Sequence, residues 1–318
     1  MGRFGAAASR RASRPGIKPR HLSTAVALVV AASLLAACGT ISGGGSAPGL
    51  RVVATTTVIA DLVGQVAGGR ASVASLVPKG GEVHTFDPSP GDVAAVAEAD
   101  VVFANGLGLD DWVDGLIAES GTSAPVYALG EGLDEAGYLE GDGAVPNPHL
   151  WLDVLHARTY VARIAIALAE ADPEDIAGFE ERAAAYDARL VALDGDIREG
   201  FAAIPAEDRR VVSFHEAFPY FAASYGLDIV GVVVDAPGQD PSAGEIAALV
   251  DAIRTSGARA VLAEAQFSAD LAEAVASEAG VPVVRDLYTD SLGDAPVDTY
   301  EGLMRWNADR VLAALVSP

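Results

Sequence analysis

The sequence predicts an α/β protein of two lobes, each a parallel sheet flanked by helices, joined by one long backbone helix. Three observations predict it. Apolar runs of strand length alternate with amphipathic runs of helix length from Leu50 to Leu129. The same alternation restarts after Pro205. Between the two lies an unbroken helical pattern of roughly 28 residues, which at ~1.5 Å per residue makes a rod of ~40 Å, longer than one small domain needs. Strands that alternate with helices pair in parallel through right-handed crossovers.

In the first lobe "LRVVATTT" reads as a buried strand, "VIADLVGQVAG" as a helix and "ASVASLV" as the next strand. The loop "GGEVHTFDPSP", residues 80–90, follows it. "PGDVAAVAEA" is a helix with Pro90 near its start, where a missing N–H costs nothing. "DVVFAN" is a strand, "LDDWVDGLIAE" a helix and "APVYAL" a strand. The alternation then stops. "ARTYVARIAIALAEA" is a helix, and the long pattern opens at Pro173 with Phe179, Tyr186, Leu190, Leu193, Ile197 and Phe201 at helical spacing. In the second lobe "RRVVSF", "LDIVGVVV", "ARAVLAEA" and "VPVVRD" are strands. The helices between them are "HEAFPYFAASYG", "SAGEIAALVDAIRTSG" and "SADLAEAVASEAG", and "DTYEGLMRWNADRVLAAL" closes the chain. The expected organisation is a leader over 1–37, a tether over 38–49, a first lobe over 50–171, a linking helix over 172–204 and a second lobe over 205–318.

The leader stands apart in charge. The chain carries 21 basic and 44 acidic residues, yet residues 1–37 hold six of the basic ones and no acid. The rest has a net charge of −29, which repels nucleic acid and anionic lipid and suits a soluble protein that handles cations. Basic residues, then the 16-residue apolar run "LSTAVALVVAASLLAA", then a small-residue site form the pattern of an export signal. The run is short of the ~20 residues a membrane span needs. It ends at Cys38, the only cysteine, so no disulfide is expected. "LAAC" resembles the bacterial lipoprotein lipobox, which implies cleavage before Cys38 and diacylglyceryl attachment to its sulfur. "GTISGGGSAPG" is a flexible tether that lets a folded body stand off a membrane surface.

Three of the four histidines outside the leader follow strands. His84 follows "ASVASLVP", His215 follows "RRVVSF" directly, and His149 in "NPHLWLD" follows the first lobe's last strand through an irregular acidic loop. Ligands of open parallel sheets bind just beyond the carboxyl ends of the strands. A metal site needs a further donor, and "VVRDLYTDSLGD" offers Asp286, Asp290 and Asp294, with Asp290 best placed in a polar turn closed by Gly293. Three imidazoles and one carboxylate make a tetrahedral zinc set. The long separations match no local motif, and three unrelated histidines fit the pattern too.

"VPKGGEVHTFDPSPGDVAAVAEADVVFANGLGLDDWV", "NPHLWLD", "SFHEAFPYFAASYGL" and "YTDSLGD" together resemble the zinc/manganese-binding receptors of bacterial ABC importers, the cluster A-I solute-binding proteins. The resemblance runs from about Arg51 to Leu315. It implies one metal in the cleft between the lobes, held by His84, His149, His215 and Asp290. It also implies a membrane permease and its ATPase as partners, and an extracytoplasmic, lipid-anchored place at the cell membrane. The third donor is histidine or glutamate in such receptors; His215 here favours Zn2+, with Mn2+ as the alternative.

Many zinc receptors of this kind carry a His-rich loop before the second ligand. Here "GEGLDEAGYLEGDGAVPNP" has no histidine but has Glu131, Asp134, Glu135, Glu140 and Asp142. It reads as a solvated loop, or as a weak cation collector or metallochaperone dock. Asp153 either orients a ligand histidine from behind or caps the helix that follows. His156 reads as a helix-entry histidine, and Trp112, Trp151 and Trp306 as packing residues. No "HExxH", "GxSxG" or "GxxxxGK[ST]" occurs, so the chain reads as a receptor and not an enzyme, a monomer without nucleic acid. A metal-containing adhesin or hydrolase is the remaining alternative.

Overall fold

A computed structural model describes residues 49–133, 137–139, 141, 145–235 and 237–316. The leader, Cys38 and all of the tether but Gly49 lie outside the described residues, as do Asp134, Glu135, Glu140 and Asp142 of the acidic loop.

The first sheet holds β1 (Leu50–Ala54), β2 (Ala71–Ser75), β3 (Val101–Ala104) and β4 (Val126–Ala128), all parallel, in the order β2-β1-β3-β4. Its helices are α1 (Thr57–Ala67), α2 (Pro90–Ala97) and α3 (Trp112–Ser120). Two helices follow, α4 (Val154–Ala171) and the 27-residue α5 (Ile176–Ala202). The second sheet repeats the arrangement. β5 (Arg210–Ser213), β6 (Asp228–Val232), β7 (Ala260–Glu264) and β8 (Val283–Leu287) are parallel in the order β6-β5-β7-β8. They are connected by α6 (Pro219–Tyr225), α7 (Ala243–Ser256) and α8 (Asp270–Ala279), and α9 (Tyr300–Leu315) ends the described chain. The two-lobe α/β architecture with a long helix is the one the sequence predicts.

The apolar runs become strands because both faces of each sheet are covered. All four residues of β3 and all five of β7 are buried, so neither strand needs a polar face. Helix entries follow local chemistry. The Thr56 hydroxyl accepts from Ile59 N at 3.2 Å to start α1, and Ser242 with Glu245 forms a capping box on α7. The six large apolar residues expected along α5 are its buried residues. That stripe belongs to one continuous core, which runs from Val52 and Phe103 of the first sheet through Tyr186, Leu193 and Phe201 to Phe221, Leu262 and Leu287 of the second. Smaller clusters fill the outer faces, Val53, Val96 and Leu116 on the first lobe and Val212, Val250 and Val275 on the second.

Two helix starts differ from expectation. The long helix begins at Ile176 and not at Pro173, which lies in a separate 3₁₀ turn, Pro173–Asp175. "HEAFPYFAASYG" is not helical throughout; α6 begins only at Pro219. Proline fits the first helical position because it has no N–H to leave unpaired. His215 to Phe218 therefore form a turn directly after β5, and His215 sits off the helix. Among the described residues no helix is long and apolar enough to cross a membrane.

Candidate metal centre

Each sheet sends loops from the carboxyl ends of its strands toward the other, and four of the predicted side chains meet there. His84, His149, His215 and Asp290 each offer an atom within 4.8 Å of the others. His84 comes from the loop after β2. Gly80 starts that loop in the left-handed region at φ 70°, and its N–H donates to Leu292 O at 3.1 Å, which ties the loop to the Asp290 turn. Trp112 Nε1 donates to Val83 O at 3.0 Å and the Trp112 ring packs on Phe86, so this tryptophan braces the residues around His84. His149 opens a short 3₁₀ turn, Leu150–Leu152. Trp151 in that turn is buried and donates to Thr289 O at 2.7 Å, beside Asp290. His215 is fixed on its turn by the Ser213 hydroxyl, which donates to His215 O at 2.6 Å. Of the three candidate carboxylates, Asp290 is fully buried, whereas Asp286 and Asp294 are exposed.

Nε2 of His149 lies 3.3 Å from Nε2 of His84, 3.4 Å from Nε2 of His215 and 3.4 Å from Oδ1 of Asp290. Oδ2 of Asp290 is 3.7 Å from His84 Nε2 and 3.8 Å from His215 Nε2. A tetrahedral ion with arms of ~2.0–2.1 Å sets its donors ~3.3–3.4 Å apart. The three separations from His149 Nε2 equal that edge; the two longer ones are to the other carboxylate oxygen, Oδ2. Asp290 Oδ1 is buried with no hydrogen-bond partner. A buried carboxylate oxygen without a donor is costly unless a cation meets it.

The outer nitrogens of the histidines are held unequally. His149 Nδ1 lies 3.0 Å from Asn147 Oδ1, which also accepts the His149 backbone N–H at 3.0 Å. Asn147 is itself fixed across the lobes, since its Nδ2 donates to Glu216 O at 2.7 Å and its carbonyl accepts from Tyr220 Oη at 2.9 Å. His215 Nδ1 lies 2.8 Å from Oε1 of the buried Glu264. For His84 only its backbone N–H is anchored, to Glu82 Oε1 at 2.7 Å, and its side chain is 21% exposed. An acceptor on the outer nitrogen fixes which tautomer faces the cluster. Asp153 takes the capping place of its two expected roles: its carboxylate accepts from Leu155 N at 2.9 Å. Its nearest histidine in this respect is His156, 3.8 Å away, and not His149. His156 packs edge-on against Tyr220. Asn147, Glu264, Gln266 and Thr289 escape the sequence reading. The one visible signal was Glu264, an acid at the end of the otherwise apolar "AVLAE".

Charge is distributed asymmetrically. Burial, with help from His215, lowers the His84 imidazole to about 4, and burial holds His149 well below its usual value, so both are neutral donors at pH 7. Burial also works against the His215 imidazolium, but the Glu264 carboxylate and its hydrogen bond outweigh it and raise His215 to about 9. Burial raises Asp290 to about 8 against the pull of His215. Removed from water, the group tolerates charge only in compensated form. A cavity of about 310 Å³ leads in past Leu107, Pro146 and Asp235 to the three histidines; Asp290 is not in its wall.

The comparisons agree with this architecture. The family described as zinc-uptake complex component A, periplasmic (ZnuA), matches residues 52–314. The manganese-binding lipoprotein MntA of Halalkalibacterium halodurans is 32% identical over 292 residues, which span 91% of this chain and 96% of the relative. The iron ABC transporter substrate-binding lipoprotein MtsA of Streptococcus pyogenes is 30% identical over 276 residues, 84% of this chain and 89% of the relative. Among solved structures the periplasmic zinc-binding protein TroA from Treponema pallidum superposes with a TM-score of 0.79 at 28% identity, covering 85% of this chain and all of TroA. With two like-wound sheets, a long helix between them and a match over nearly the whole body, the chain belongs to the zinc-uptake complex component A family of periplasmic proteins.

Proposed function

We propose that this protein is the extracytoplasmic receptor of an ABC metal importer, that it captures Zn2+ between its lobes, and that His84, His149, His215 and Asp290 are the ligands. The single observation that supports the reading is the convergence of three imidazole nitrogens and a buried carboxylate, with His149 Nε2 one tetrahedral edge from each of the other three donors and one of those, Asp290 Oδ1, lacking any hydrogen-bond partner. The acidic body draws cations toward the cavity. Once inside, the ion meets two neutral imidazoles, and displaces protons from His215 and Asp290. The buried carboxylates of Asp290 and Glu264 offset its two positive charges. Four protein donors leave no position for a reacting water, which supports a carrier over a hydrolase.

The metals named for the relatives span zinc, manganese and iron. Manganese is the second reading, favoured by the 32% identity to MntA; the three-imidazole set supports zinc. Delivery is to a permease powered by an ATPase. The acylated Cys38 and the tether to Gly49 hold the receptor at the membrane as a monomer, with its lobes over 50–171 and 205–318 and the linking helix over 172–204. The acidic residues between Glu131 and Asp142 would serve, beyond keeping that stretch in water, as a weak cation collector or a metallochaperone dock. Metal analysis of untagged protein, followed by zinc–manganese competition, tests the reading. One ion per chain, lost in the variant with His84, His149 and His215 all changed to alanine, is expected; retention of the ion by that variant refutes it. Mass spectrometry of membrane-extracted protein should find a diacylglyceryl group on Cys38, absent after Cys38→Ala.

A further inference from the structure

Gln266 has no part in the receptor reading as it stands. It lies just past the end of β7, and its Nε2 is 2.8 Å from Thr289 Oγ1, 3.1 Å from Asp290 Oδ2 and 3.2 Å from Glu264 Oε2. The Thr289 hydroxyl donates to Glu264 Oε2 at 2.5 Å, and Glu264 Oε1 meets His215 Nδ1 at 2.8 Å. His215 and Asp290 are thus joined by a closed run of hydrogen bonds within the second lobe. The consequence falls on Asp290. Both of its oxygens approach the imidazoles, Oδ1 nearest His149 and Oδ2 nearest His84 and His215. A carboxylate so placed is able to embrace an ion with both oxygens. Here the two are inequivalent: Oδ2 carries the amide hydrogen bond, while Oδ1 has no partner. An oxygen whose lone pair is already engaged by an N–H is the weaker donor to a cation.

We propose that Gln266 sets the metal preference of this site: by engaging Oδ2 it keeps Asp290 to ligation through Oδ1 alone, so that the ion finds four donors and zinc is favoured over manganese. The inference rests on the receptor reading above. Zinc is satisfied by four nitrogen and oxygen donors in a tetrahedron, whereas manganese favours a six-coordinate, oxygen-rich shell. A second carboxylate oxygen moves the site toward the latter. Gln266 acts through Asp290 and is a positioning residue.

The test compares the parent with Gln266→Met, which keeps the length of the side chain and removes the amide. Zinc and manganese affinities are measured by competition with a chromophoric chelator, and the donors around bound zinc are counted by X-ray absorption. The variant should lose about tenfold or more of the zinc-over-manganese preference, and its zinc should gain a fifth donor. A preference unchanged within about twofold, an equal weakening of both ions, or an unchanged donor count overturns the inference. Five donors in the parent overturn it as well and leave the receptor reading intact. A parent that takes up neither ion removes that reading and the inference with it. If Gln266→Met does not accumulate as folded protein, Gln266→Ala carries the same expectations.

Discussion

Zinc capture at pH 7 should release close to two protons per ion. The ion-free cluster holds one on His215, raised to about 9, and one on Asp290, raised to about 8, while His84, near 4, and His149 hold none. All four must present lone pairs to a metal, so binding expels both protons. The logarithm of the affinity then rises by nearly two units per pH unit up to about 8, by one between about 8 and 9, and levels off above. Each released proton corresponds to about 1.4 kcal/mol per pH unit. Three histidines at ~6.5 and an aspartate at ~3.9 behave differently, releasing protons mainly below pH 6.5 and leaving the affinity almost flat from 7 to 8. The interval from pH 7 to 8 therefore separates a perturbed site from an ordinary one. Titration calorimetry at pH 7 in two buffers of different ionisation enthalpy counts the protons, and chelator competition at pH 7 and 8 gives the slope. Ordinary histidines would still release about 0.7 proton at pH 7, so a count of about one proton or fewer per ion, together with an affinity that changes less than about threefold from pH 7 to 8, refutes the reasoning.

The same shifts reverse sign for the stability of the ion-free fold. Between its unfolded and folded values a group with a raised pKa binds more protons in the native chain, so stability falls as pH rises. That window runs from ~3.9 to about 8 for Asp290 and from ~6.5 to about 9 for His215, so stability falls across ~6.5 to about 9 and most steeply where the two overlap; below ~6.5 the lowered His84 and His149 act against Asp290. Melting of chelator-stripped protein should drop across this window and that of the loaded protein should not. His84→Ala should cost less zinc affinity than His149→Ala, because His84 is partly exposed and has no anchor on its ring outside the cluster; equal losses in chelator competition count against this. Phe201→Ala, fully buried in the α5 stripe, should cost about 3–5 kcal/mol in denaturant unfolding without changing metal stoichiometry. Because one core crosses both lobes, small-angle scattering of stripped and loaded protein should nearly coincide, and a large change in radius contradicts the shared core.

The fold was legible because its signals are periodic. Six apolar residues at helical spacing mark α5, and short apolar runs between helices mark both sheets. The start of α6 was missed because "HEAF" continues a helical pattern, although the proline after it carried the correction. The cluster was half legible. Histidines just past strand ends are visible in the chain, but their convergence came from resemblance, since separations of this length encode no geometry. Asp290 was separable from Asp286 and Asp294 by its turn; its burial was not. The residues behind the ligands were invisible for a physical reason. Asn147, Glu264, Gln266 and Thr289 act through hydrogen bonds to partners distant in sequence, and a polar residue in a loop looks the same whether it faces water or a histidine.

The long helix is more than a strut, because its buried stripe is glued to both halves at once. Phe179 and Tyr186 share one apolar mass with Val52 at one end and Phe221 and Leu287 at the other. Fragments produced by cutting the gene near Asp172 or near Ile204 would each expose that seam to water. Either fragment alone should collapse and aggregate, and only co-expression with its complement in trans should recover a soluble particle.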